Sequence, residues 1–126
     1  MIETTKPQNE RLLLFWTDHF PVGYSAINEE SLAIAKQHLM FRQHGFGNFK
    51  TLVKAIIRDP AMLNYLNGEN NNKKAPNENL ARELMELFVL GEGAYDEKTV
   101  KEAARALTGK SINRIKGFEY SLYRRR

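Results

Sequence analysis

The chain has 126 residues, enough for one domain around a single core, and its 42% hydrophobic and 27% charged residues are ordinary for a globular fold. No apolar run is long enough to span a bilayer, Leu12 to Trp16 is too short for a signal-peptide core, and the lack of cysteine removes disulfides and thiolate zinc sites while leaving the redox compartment open. The net charge of +4 does not argue for a nucleic-acid partner: from residue 110 onward Lys110, Arg114, Lys116, Arg124, Arg125 and Arg126 face only Glu119, and the rest of the chain is close to neutral.

In chain order, the spacing predicts a first helix over about Gln8 to Phe20, stopped by Pro21, with Leu12, Phe15, Trp16 and His19 on one face. Asn28 is the expected cap of a second, running through Glu29 and Glu30 to about Gln43 and ending at Gly45. Asn48 opens a third, in which Phe49, Leu52, Val53, Ile56 and Ile57 form the densest apolar stripe, expected at the centre of the core. Asp59 followed by Pro60 reads as a cap and a first helical residue, so a short fourth helix reaches Leu66 and stops at Asn67-Gly68.

The stretch from Gly68 to Lys74 is polar and asparagine-rich and predicts an exposed loop. A fifth helix starts at Asn77 or Asn79, after Pro76, and closes at Gly91, with Leu80, Leu84, Leu87 and Phe88 as its apolar stripe. Its polar side is crowded. Glu78, Arg82 and Glu86 step by four and can pair along the surface, while Glu83 lies off that ladder, beside Asn79. Asp96 caps a sixth helix with a small-residue stripe of Val100, Ala103, Ala104 and Leu107, ended by Gly109. Beyond it Phe118, Tyr120 and Leu122 alternate with polar residues, which is strand-like. A lone hairpin is marginal in water, so residues 110–126 are expected to form a truncated, loosely held tail. The whole, residues 1–126, reads as one all-α domain: an orthogonal helical bundle of about six helices with a short β-like C-terminal tail.

Five segments in order carry a resemblance: Phe15-Trp16-Thr17-Asp18-His19-Phe20, Gly47-Asn48-Phe49, Arg58-Asp59-Pro60-Ala61-Met62-Leu63, the helix from Asn77 to Gly91, and Ala103-Ala104-Arg105-Ala106-Leu107-Thr108-Gly109. From about Arg11 to Tyr123 the chain resembles the bacterial "domain of unknown function eighteen hundred" family. The resemblance implies an interior fragment of a larger, exported or periplasmic bacterial protein. It implies as partners the remainder of that protein or another exported protein, and it names no cofactor. Where many relatives have alanine and leucine, His44-Gly45-Phe46-Gly47 has glycine and phenylalanine.

Two functional classes follow. The first is a helical scaffold or interaction module. The second is a hydrolase-like or metal-dependent enzyme with an incomplete site here, in which His19 and Glu83 are the candidate catalytic pair and Trp16, Asn77, Glu78, Asn79 and Arg82 are candidate binding residues. The resemblance promotes His19; its residue type and position are equally explained by a half-buried ring bonded to a backbone carbonyl. Asn77 and Asn79 leave spare polar groups at a helix start, a place suited to anions, but they also suffice as caps. His38 and His44 have no metal-ligand spacing, and no metal site is expected.

Overall fold

In the computed structural model, which describes residues 4–25, 31–113 and 119–122, prolines open two helices. Pro7 starts α1 (Pro7–His19) and Pro60 starts α4 (Pro60–Tyr65), each where a missing N–H breaks no helical bond. Between them lie α2 (Ser31–His44) and α3 (Phe49–Ile56), the latter capped by the Asn48 side chain, which accepts from the Lys50 N–H at 2.9 Å. After a 3-10 turn at Gly68–Asn70 come α5 (Glu78–Glu83), a π-helical segment Leu84–Val89 continuing it, and α6 (Glu97–Ala106). Strands β1 (Lys110–Asn113) and β2 (Glu119–Leu122) pair antiparallel, Lys110 opposite Leu122 and Asn113 opposite Glu119. The all-α bundle expected from the spacing is the architecture found. Asn28, the expected cap of the second helix, lies outside the described residues.

The core gathers one stripe from each helix. Ala33, Gln37 and Phe41 of α2 repeat every four residues and meet Leu13 and Phe20 from α1 and its end, with Leu52 and Ile56 of α3 and the almost wholly buried α4 behind them. Leu80, Phe88 and Ile112 close it from the other side. A smaller cluster of Ala81, Val100 and Ala104 joins α5 to α6, where the small residues let the two helices approach. Within the third helix only Leu52 and Ile56 are fully buried; Val53 and Ile57 are half-buried, and Phe49 lies 42% exposed on the rim.

The corner between α1, α2 and α3 turns on a close approach. Trp16 donates its indole N–H to the Gly45 carbonyl at 3.1 Å, and a Cβ at Gly45 would sit 2.6 Å from both that indole nitrogen and the Phe41 carbonyl. Glycine here is therefore a packing requirement. Gly45→Ala is expected to cost about 1–3 kcal/mol through overpacking, read by urea denaturation. A neutral result would mean that the indole moves aside freely. In the last turn of α2 Arg42 also grips Glu10 of α1 with two bonds of 2.9 and 2.8 Å, which hold the Glu10 carboxyl below its usual range.

Two expectations need correction. The fifth helix is not uniform: Leu90 N–H reaches back five residues to Met85 at 2.8 Å, and this wider winding rotates the later side chains. Met85 and Phe88 are consequently buried while Leu87 is 57% exposed. The asparagine-rich stretch is not all exposed, since Gly68 and Asn71 are buried. Lys110 opens β1. It is buried, its Nζ donates to the Ile57 carbonyl at the end of α3 at 3.1 Å, and burial, helped by the Arg58 charge, pushes its amine down to about 8. Ile112 is buried nearby and donates its N–H to Glu69.

Candidate functional site

His19 occupies the last position of α1, where its half-buried ring sits among Phe15, Trp16, Phe20 and Phe88. Its Nε2 lies 2.9 Å from the Phe88 carbonyl. A carbonyl can only accept, so Nε2 carries the proton and the ring caps an otherwise unpaired carbonyl near the end of the π-helical segment. Glu83 does not share this contact. Five residues earlier on the same helical stretch, it is half-buried, and its carboxylate makes no hydrogen bond or ion pair among the described residues. The ring bonds a backbone carbonyl, one of the two readings its position allowed, because the chain winds the Phe88 carbonyl, not the Glu83 side chain, toward the end of α1.

Trp16 is committed to the Gly45 carbonyl and stacks against Phe20 and Phe49. Asn77 caps α5, accepting from the Asn79 N–H at 2.9 Å, and its own amide donates to the Asn67 carbonyl at 2.9 Å. Asn79 likewise donates to the Leu66 carbonyl at 3.3 Å. These two carbonyls follow the last turn of α4, so the start of one helix satisfies the end of another. The spare hydrogen-bonding groups seen in the sequence are thus used internally.

Arg82 pairs more strongly across helices than along its own. Its guanidinium takes both Glu97 oxygens at 2.8 Å, at the first turn of α6, and one Glu78 oxygen at 3.2 Å. The bidentate partner raises the Arg82 pKa and holds Glu97 below the usual carboxylate range. Glu86 forms no ion pair with Arg82 among the described residues; its charge acts on Tyr95, whose pKa is raised by desolvation first and by Glu86 second. Of the candidate residues, Arg82 bonds Glu78 and Asn77 accepts from the Asn79 N–H, while His19 and Glu83 share no hydrogen bond. Among the described residues no group of three His, Asp or Glu side chains could hold a metal ion. His38 is half-buried, and desolvation, then the nearby Arg42, lowers its pKa.

The structure adds two polar centres that the spacing did not single out. At one, Asp59 Oδ2 caps α4 by accepting from the Met62 N–H at 3.0 Å and also accepts from the Gln37 amide of α2 at 2.7 Å. Both side chains are buried, and desolvation pushes the Asp59 carboxyl up to about 6 against three hydrogen bonds, from Met62, Gln37 and Ala61, that favour its ionised form. The cap was legible in Asp59-Pro60; the buried glutamine was not, since nothing local marks Gln37 as inward-facing. At the other, buried Asn71 donates to the Ala104 carbonyl and accepts from the Asn77 N–H, each at 2.9 Å, while its own carbonyl takes the Gly109 N–H. Each centre ties together segments remote in sequence. Neither presents an open group to a ligand.

A protein-family model described as "Protein of unknown function (DUF1800)" matches residues 1–126, the whole chain. No curated protein and no solved structure matches it. No helix among the described residues is long and apolar enough to cross a membrane.

Proposed function

The chain belongs to the DUF1800 family of proteins of unknown function, so its role is read from its own side chains, and we propose that it is a non-catalytic helical scaffold or interaction module within a larger, exported bacterial protein. The observation that carries this reading is the fate of the polar candidates. His19, Trp16, Asn77, Asn79 and Arg82 each spend their hydrogen-bonding groups on another helix or helix end, which builds a frame and leaves no aligned acid, base and nucleophile among the described residues. Its partners on this reading are the remainder of the same protein or another exported protein.

The test combines stability and turnover. His19→Ala should cost about 1–3 kcal/mol by leaving the Phe88 carbonyl unpaired, whereas Glu83→Gln should stay within about 0.5 kcal/mol, and the two changes should add. The parent chain should show no turnover of sulfate, phosphate or glycoside esters. Turnover by the parent that His19→Ala abolishes would overturn the scaffold reading and install His19 as a catalytic residue.

A further inference from the structure

Near-neutrality of the chain body conceals a local asymmetry. Between residues 31 and 58 there are five Lys or Arg residues and not one Asp or Glu. Arg42 is neutralised by Glu10, and Lys36 has a partner of its own. Lys50, Lys54 and Arg58 remain: all three are exposed, they recur every four residues along α3 and the turn after it, and none forms an ion pair among the described residues. They lie on the side of α3 opposite buried Leu52 and Ile56.

Apolar rings adjoin this stripe. Residues 46–51 are exposed in unbroken succession, and Phe46, at 62%, and Phe49 stand on that ridge directly before Lys50. Phe49 stacks on Trp16, which in turn meets the exposed ring of Phe15. Large rings standing out of a ridge, rather than lining a groove, suit a soft layer that can receive them, and unpaired cations beside them suit a layer of negative charge.

We propose that the ridge from Phe46 along α3 to Arg58 docks onto an anionic lipid surface, with Lys50, Lys54 and Arg58 against the headgroup phosphates and the rings of Phe46 and Phe49 in the interfacial layer. This deepens the interaction-module reading and rests on it. Esterase turnover would sink that reading, whereas vesicle partitioning decides this one.

The experiment is co-sedimentation of the full chain with vesicles of phosphatidylcholine alone or mixed with phosphatidylglycerol, at low and high salt. Binding is expected only to the anionic vesicles and should be lost at high salt. Lys50→Gln with Lys54→Gln should weaken it roughly fivefold for each cation removed. Phe46→Ser should weaken it without lowering the melting temperature, since that ring is the most exposed of the group. No partitioning, equal partitioning into neutral vesicles, or parent-like binding by the lysine variants would overturn the proposal. Binding to polyglutamate or duplex DNA with none to vesicles would overturn it too, by assigning the stripe to an acidic polymer.

Discussion

Asp59→Asn is expected to stabilise the chain at pH 7 by about 1–3 kcal/mol and to leave it nearly unchanged near pH 4. Asparagine closely mimics the protonated acid: its carbonyl oxygen can still accept from the Met62 N–H and the Gln37 amide, as Asp59 Oδ2 does. What disappears is a buried negative charge. Because burial raises the Asp59 carboxyl to about 6 in the folded chain, from 3.8, the folded state holds the proton more tightly than the unfolded one. Stability from this group is therefore complete below about pH 4 and is lost as the pH rises to about 6, by on the order of 2–3 kcal/mol. Asp59→Ala behaves differently. It removes the cap and orphans the Gln37 amide, at about 2–4 kcal/mol near pH 4, and the penalty shrinks above pH 6, where the parent carries its own charge penalty. Urea denaturation of all three chains across pH 4–7 separates these cases. Parallel pH profiles for the parent and Asp59→Asn would show that Asp59 does not titrate in this window.

Asn71→Ala should cost about 2–4 kcal/mol, one of the heaviest penalties for any polar side chain in the molecule. The side chain is buried and serves two remote backbone groups, the Ala104 carbonyl at the end of α6 and the Asn77 N–H before α5. Its removal strands both, and each orphaned group costs about 1–3 kcal/mol unless water reaches it. Asn72 supplies the contrast. It is exposed, and its carbonyl oxygen serves only the local turn, accepting from the Lys74 and Ala75 N–H groups. Asn72→Ala is therefore expected to stay within about 0.5 kcal/mol. Thermal or chemical denaturation of the two variants side by side checks the difference, and equal effects would mean that the Asn71 bonds are replaced by solvent.

Which features were legible in the sequence follows from the range of the interactions that make them. The caps at Asn48, Asp59, Asn77 and Asp96 were readable, because each side chain bonds an N–H two or three residues onward. The Val100 and Ala104 stripe was readable for the same local reason. Asn71 and Lys110 were not: their burial is decided by α6 and by the end of α3, and residue type alone placed both at the surface. Leu87 misled because a periodicity of 3.6 cannot anticipate a π-helical turn. His19 was half legible. Its face, its partial burial and a bond to some main-chain oxygen were among the readings of its position, but nothing local says that the oxygen belongs to Phe88, 69 residues away.

The crowded corner at Gly45 also gives this chain an internal optical reporter. Trp16 is its sole tryptophan, and the indole is held between Phe20 and Phe49 with its N–H on the Gly45 carbonyl. Emission excited at the red edge thus originates at one place, where three helices converge, and loosening there exposes the indole to water and shifts its spectrum. Strands β1 and β2 contribute no indole, so fraying of that hairpin leaves the emission silent while amide exchange records it. Light and exchange together resolve these two places without any added label.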